Sequence, residues 1–380
     1  MKFTINSKKL NETLVIVSRA LASKNVLAVL DNFIFEVKEN CLAVTASDSE
    51  NWITSTVELT ESSDNGQFAI NAKGMLEATK NLPDVPLTFT TEDDKNIKIQ
   101  YGSGVFSLPI SNTEDFPVAP DINGGNRVSF GLTESLLQEN IARAIGATAS
   151  DDLRPIMTGI FFELTDEKLN IVASDGHQLV LNSLTDFVHN EVNNEVNNGT
   201  LIMPRKPAGI LKNILKKRED TVTISTDGQR VEVTTGSFTL NSRLIEGRYP
   251  NYNSVIPKNN SKVVTVDREA LVAVLKRIAP FANDYSNLVK VHVENNAMQL
   301  QTEDYDFSKM ATEQLPCSYA DDAMTIGLKG STLLGLLENI RSNEVTMLLA
   351  DSSRAALIQP AEQPEGQEIL MLQMPMLLND

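Results

Sequence analysis

The chain reads three times over. Its copies are "SRALASKNVLAVLDNFIFEVKENCLAVTASDSE" from Ser18, "ARAIGATASDDLRPIMTGIFFELTDEKLNIVASDGH" from Ala142 and "KRIAPFANDYSNLVKVHVENNAMQLQTEDYD" from Lys276. Each runs from a helix end through a polar loop into two strands joined by a charged turn. The matching aspartates are Asp48, Asp175 and Asp304, separated by 127 and 129 residues. A period of that size is too long for a solenoid unit and is the size of a whole domain.

A second set of segments follows the first: "FAINAKGMLEATKNL" from Phe68, "LIMPRKPAGILKNIL" from Leu201 and "MTIGLKGSTLLGLLENI" from Met324, each leading into strands such as "LTFTT", "VTIST" and "VTMLLA". A short strand, a helix and several further strands thus recur six times, twice per domain. The expected fold is α+β, three similar domains, each with two helices on the inner side and β-sheets on the outer side. The connectors "EDFPVAPDINGG" and "GRYPNYNSVIPKNN" mark the joins, giving domains over residues 1–122, 127–250 and 251–380. The Asn-rich "HNEVNNEVNNG", residues 189–199, reads as an exposed loop.

Size and charge fit this plan. At 380 residues and 41% apolar content the chain can bury more than one core. No run of about 18 apolar residues occurs, and Asn, Ser, Lys and Glu break up the amino-terminal "MKFTINSKKLNETLVIV". A cytoplasmic protein with neither a membrane span nor a signal peptide is expected. Cys41 and Cys317 are the only cysteines, expected as two buried free thiols rather than a disulfide or metal site. A net charge of -17 argues against a surface that coats nucleic acid throughout. It leaves room for a local basic face, because exposed charges more than ~8 Å apart are largely screened at physiological salt.

The helices suggest where that face lies. In the first, Leu10, Leu14, Val17 and Leu21 fall on one apolar stripe, which puts Arg19 on the opposite side. Its counterparts Arg143 and Arg277 also lie off their stripes, and Lys73, Arg205 with Lys206, and Lys329 stand at the starts of the second helices. Any one of these suits an ordinary solvated helix. Recurrence at equivalent places in all three domains points to one shared cationic surface.

Asp175 and His177 in "NIVASDGHQLVLN" have the look of an acid and a base. The repeat argues otherwise: the aspartate belongs to a turn present in every domain, where its first role is to cap backbone amides. His189 and His292 lie at no metal-ligand or triad spacing, and "GSGVFS" lacks the third glycine and the lysine of a nucleotide loop. No catalytic constellation, metal site or cofactor site is expected.

The runs "LRPIMTGIFFE", "ASDGHQLVLN", "NSRLIEGRYPNYNSVIP" and "MLQMPMLL", in that order on a threefold repeat, resemble the signature segments of the bacterial DNA sliding clamps, the beta subunit of DNA polymerase III. The similarity covers essentially the whole chain. It implies a processivity factor rather than an enzyme. The family forms a head-to-tail homodimer whose six domains close by twofold symmetry into a ring around duplex DNA. The partners it implies are double-stranded DNA, a second copy of the chain, the polymerase III alpha subunit, an ATP-driven clamp loader and other proteins carrying a short clamp-binding peptide.

By the same resemblance, DNA-facing positions fall on Lys24, Lys73 and Arg154, the last beside Pro155 and Ile156 where some members carry aromatic residues. Self-association falls on Phe106 and Leu108 against Pro280 and Phe281. The peptide pocket carries over to Met157, Ser174, Gly176, His177, Gln178, Leu179, Pro250, Val255, Leu372, Met374, Pro375, Met376 and Leu377. A Met-rich lining can re-pack around several related ligands. Gln178 and Leu377 stand where the family commonly has Arg, and Asn379 and Asp380 extend past its usual end. Two other classes fit the residues alone: an acidic peptide-binding scaffold that never encircles DNA, and an enzyme with a dispersed site.

Overall fold

The computed structural model describes residues 1–25, 27–91, 95–122, 127–151, 153–190 and 198–378. Asn379, Asp380 and most of the Asn-rich run lie outside the described residues. Helices fall in pairs along the chain, as the repeat requires: α1 (Ser7–Val17), α2 (Ala72–Thr79), α3 (Glu134–Ile145), α4 (Arg205–Ile214), α5 (Arg268–Ile278) and α6 (Gly330–Glu338). Side-chain caps start several of them. Asn6 accepts from the amides of Lys8 and Lys9, Asn71 from that of Gly74, and Asp267 from that of Ala270. In α1, Leu10, Leu14 and Val17 are fully buried. The stripe stops there, because Ser18–Ala20 tightens into a 3-10 turn and leaves Leu21 half-buried beyond the helix.

Two compact units follow from the packing. The first comprises the described residues of Met1–Ser135, Val188–Asn197 and Asn213–Leu244. Its strands form one antiparallel series of 14, in which Asn51–Glu58 pairs with Phe238–Arg243 in the register Phe238↔Ser55 to Ser242↔Asn51. That ladder joins strands from the first and second repeats. The connector after the first repeat packs as well, with Trp52 Nε1 donating to the Pro117 carbonyl at 2.9 Å. Phe3 stacks on Phe89 at 4.6 Å within the core.

In the same unit, strand Gly104–Ser111 pairs along its length with Asn96–Tyr101. On its other side only Ile110 and Ser111 find partners, Ile70 and Ala69. Among the described residues, the stretch from Gly104 to Pro109 is therefore an open edge, with Val105 52% exposed and Phe106 and Leu108 half-buried.

The second unit comprises the described residues of Leu136–Phe187, Asn198–Lys212 and Ile245–Asp380. An eight-stranded sheet carries strands of the second and third repeats. Their joint is Gln178–Leu184 against Gln367–Gln373, paired from Gln178↔Gln373 to Leu184↔Gln367. A four-stranded sheet ends in Lys309–Pro316, which pairs only with Ala297–Asp304 and leaves Met310 62% exposed. Pro280 and the 40% exposed Phe281 lie in the 3-10 turn that follows α5.

Both cysteines are free thiols, but only Cys317 is buried. Cys41, the first residue of its strand, is half-buried, a correction to the expectation of two buried thiols. Among the described residues no helix is long and apolar enough to cross a membrane.

Truncating a fully buried side chain of α1 removes transfer energy and leaves a cavity, so Leu14→Ala should lower unfolding free energy by about 2–5 kcal/mol. Arg19→Ala should leave the denaturation midpoint where it was. Urea titrations followed by circular dichroism check both.

Candidate functional site

The turn at Asp175 is held by its own carboxylate. Asp175 Oδ1 accepts from the amides of His177 at 2.8 Å and Gln178 at 2.9 Å, while Oδ2 takes the Gln178 side-chain amide at 2.9 Å. Asp48 and Asp304 cap their turns in the same way. So do Asp227 and Asp351 in the later half of two repeats, which the sequence reading missed although "STDGQ" and "LADSS" carry the signal. A carboxylate accepting amide hydrogen bonds is occupied, so Asp175 does not serve His177 as an acid–base partner.

That turn leaves His177 exposed at the start of a strand whose apolar side chains are buried in the second unit. Leu179 and Leu372 pair across the joint and are buried with Phe161, Val172, Tyr249, Tyr252 and Leu357 in one cluster. The Met374 amide donates to the His177 carbonyl at 2.8 Å, which brings the tail beside the turn. Ser174 Oγ donates to the Gln178 carbonyl, tying the strand end beneath Gly176. Val255 and Met374 are 55% and 43% exposed, and Pro250 is exposed next to the buried Tyr249. Met157 is held at the edge by its amide on the Arg154 carbonyl, next to Ile156, which packs on the cluster. Past Pro375, Met376 bridges to Gly327, whereas Leu377 projects into solvent at 91% exposure. Exposed apolar side chains beside a buried apolar cluster suit a ligand with apolar groups of its own.

Sequence reasoning missed Tyr249 and Tyr252, both in a segment read as a linker. Tyr249 stacks face to face on Phe161 with centroids 4.7 Å apart, and burial pushes its phenol up to about 12. Burial pushes Tyr252 higher still, reinforced by its hydrogen bond to Glu163.

The cations divide into three groups. Arg19, Lys24, Lys73, Arg205 and Lys329 are exposed. Lys73 and Arg205 lie in the first turn of α2 and α4, and Lys329 directly precedes α6; none of these first turns contains an acidic residue. By contrast the first turns of α3 and α5 contain Glu134 and Glu269, the latter beside Arg268. A helix start is already positive, so a cation placed there disfavours the helix slightly and concentrates positive potential. Helix stability therefore does not explain such residues.

Arg154 and Arg277 are exposed but engaged. Arg154 donates to Asp151 at 2.7 Å and to the Asp175 carbonyl at 2.6 Å, and the Asp151 hydrogen bond raises its pKa. Arg277 makes a two-pronged contact with Glu313, which raises the arginine and lowers the glutamate.

Arg143 is a correction. It is 5% exposed, donating from Nε to Asn182 and from Nη2 to Asn140 and Gln367 at 2.9 to 3.1 Å. Burial lowers its pKa to about 10. The helix buries a flank that is polar, Asn140 and Arg143 being one turn apart, and a polar flank packed on polar partners reads in sequence like a solvated one.

Among the described residues no group of three or more His, Cys, Asp or Glu side chains is placed to hold a metal ion. Family models described as the N-terminal, central and C-terminal domains of the DNA polymerase III beta subunit match residues 1–120, 131–251 and 253–376. The beta sliding clamp of Pseudomonas putida is 28% identical over 371 residues, covering 98% of this chain and 99% of that protein. Among solved structures, a sliding clamp of Pseudomonas aeruginosa bound to griselimycin superposes with a TM-score of 0.91 at 27% identity. The DNA polymerase III beta subunit of Thermotoga maritima does so at 0.88 with 28% identity. Both comparisons cover 100% of either chain.

Removing the Arg143 side chain strands the buried Asn140 and Asn182 and the half-buried Gln367, so Arg143→Ala should cost on the order of 2–4 kcal/mol. Lys73→Ala and Arg205→Ala should leave the melting temperature unchanged. Differential scanning calorimetry of the three variants separates the buried arginine from the surface cations.

Proposed function

The chain belongs to the DNA polymerase III beta subunit family and functions as a DNA sliding clamp, a non-catalytic processivity subunit, and we propose how its residues divide that work. Two copies associate head to tail, the open edge at Gly104–Pro109 of one chain adding to the end strand Lys309–Pro316 of the other. Phe106 and Leu108 meet Pro280 and Phe281 at each of the two joints. The observation that carries this reading is that, among the open strand edges of the described residues, these two are flanked by exposed or half-buried apolar side chains, Val105, Phe106 and Leu108 on one and Met310 on the other. An exposed edge flanked by apolar side chains is a template for pairing with another chain, and natural proteins cover such edges.

Double-stranded DNA then passes through the ring without sequence readout. Arg19, Lys24, Lys73, Arg205 and Lys329 face it, with Arg154 and Arg277 contributing only part of their charge because of Asp151 and Glu313. Each phosphate neutralised adds to the salt dependence of binding, so a few dispersed cations hold DNA weakly enough to slide. Confinement in a closed ring supplies the retention that adhesion does not.

Partners dock on the surface around His177. The polymerase III alpha subunit, the clamp loader and other proteins present a short peptide bearing Gln, Leu and a terminal Leu or aromatic residue. The exposed Val255 and Met374, close in sequence to members of the buried cluster that holds Leu179 and Leu372, support this, as does the existence of a relative solved with a bound ligand. Gln178 is spent on Asp175 and the Gly146 carbonyl, so it offers acidic peptide groups less than an arginine would. The protein works in the cytoplasm, where the chromosome is copied.

Loaded onto nicked circular DNA, the protein should stay bound through gel filtration and leave when the circle is linearised; equal loss from both forms would indicate a peptide-binding scaffold instead. His177→Ala, or deletion of the last five residues, should weaken binding of a polymerase-derived peptide about tenfold or more while assembly is retained. Unchanged affinity by calorimetry would count against the pocket.

A further inference from the structure

Under the connector that carries Pro250 and Val255, the sheet of the second unit is laid out in rows. Pairing sets Ser174, Leu179, Leu372 and Leu357 side by side in one buried row. The next row is Phe161, Val172, Leu181 and Leu370, and the one beyond it is polar: Glu163, Asn170, Ser183 and Glu368. The connector crosses all three. Tyr249 lies flat on Phe161, and Tyr252, 6% exposed, reaches the polar row.

There the Tyr252 hydroxyl donates to Glu163 Oε2 at 2.5 Å. Asn170 Nδ2 donates to the same oxygen at 3.0 Å and to the Tyr252 hydroxyl at 3.1 Å, and Ser183 Oγ donates to Asn170 Oδ1 at 2.7 Å. Tyr252 opens the 3-10 turn Tyr252–Val255, which Ser254 closes through its amide and hydroxyl on the Asn251 carbonyl. These bonds tie the turn into one unit, with the exposed Val255 at its far end.

Ring stacking and apolar burial are only weakly directional, so Tyr249 on Phe161 fixes the height of the connector but tolerates sliding. A hydrogen bond to a carboxylate is directional and among the stronger kinds. Val255 and Pro250 are themselves exposed and have little packing of their own to hold them.

We infer that Glu163 and Asn170 are positioning residues for the partner-peptide site, setting through Tyr252 where Pro250 and Val255 stand over Leu179 and Leu372. This rests on the reading of the surface around His177 as the peptide site. Neither residue touches the ligand. Together they hold its wall in register, and binding sites generally tolerate displacements of only about 0.5 Å.

The probe is a synthetic peptide bearing Gln, Leu and a carboxy-terminal Phe, titrated calorimetrically into the full-length protein, with melting temperature recorded for each variant. Tyr252→Phe and Glu163→Ala should each weaken binding about 10- to 100-fold, the scale of one charge-assisted hydrogen bond. The double variant should be no weaker than the worse single one, because both break the same link. Glu163→Gln keeps an acceptor for the hydroxyl and should recover most of the affinity. Val255→Ala should matter less in the Tyr252→Phe background than in the unaltered protein. Affinities within twofold of the unaltered protein, or losses that multiply in the double variant, overturn the inference. If the unaltered protein does not bind the peptide, the pocket assignment itself fails and the positioning role falls with it.

Discussion

Antiparallel strand pairing does not stop where the sequence repeats stop. Asn51–Glu58 continues into Phe238–Arg243, and Gln178–Leu184 into Gln367–Gln373, so the three copies are joined by backbone hydrogen bonds rather than strung on linkers. Among the described residues, the strand edges left open include Gly104–Pro109 and Lys309–Pro316. The proposed dimer follows from them, since each edge offers unpaired amides and carbonyls flanked by Val105, Phe106 and Leu108 on one side or Met310 on the other. The same pairing underlies the proposed partner site. Leu179 and Leu372, nearly 200 residues apart in sequence, become neighbours only because the second joint forms in that register.

Charge is distributed to fit weak, non-specific contact with a polyanion. A net charge of -17 coexists with cations at the start of α2 and α4 and just before α6, where helix electrostatics would favour acids. Arg154 and Arg277 are partly neutralised by local carboxylates, and Arg143 is withdrawn into the structure altogether. A clamp that must move along DNA gains from such restraint, because every additional phosphate contact would steepen its dependence on salt and resist sliding.

Much of this was legible in the sequence, and what was not has physical reasons. The repeat, the pairs of helices and the capping aspartates are local patterns of periodicity and turn chemistry, so they survive in one dimension. Arg143 misled because a buried polar network has the composition of a surface. Tyr249 and Tyr252 were hidden in a Pro- and Asn-rich connector whose aromatic residues pack on a sheet formed elsewhere in the chain. Met157, His177, Pro250 and Met374 came together in the reading only through the family resemblance, since no local spacing connects them. Which strands would be left as edges is a property of tertiary pairing and was invisible until the ladders were known.

The claim that these two edges close on a second copy is tested most directly by sedimentation equilibrium of the purified protein at micromolar concentration. The account predicts a single species of twice the 41.7 kDa chain mass, reduced to monomer when Phe106 and Leu108 are both replaced by aspartate. A monomer of the unaltered protein under those conditions would contradict it.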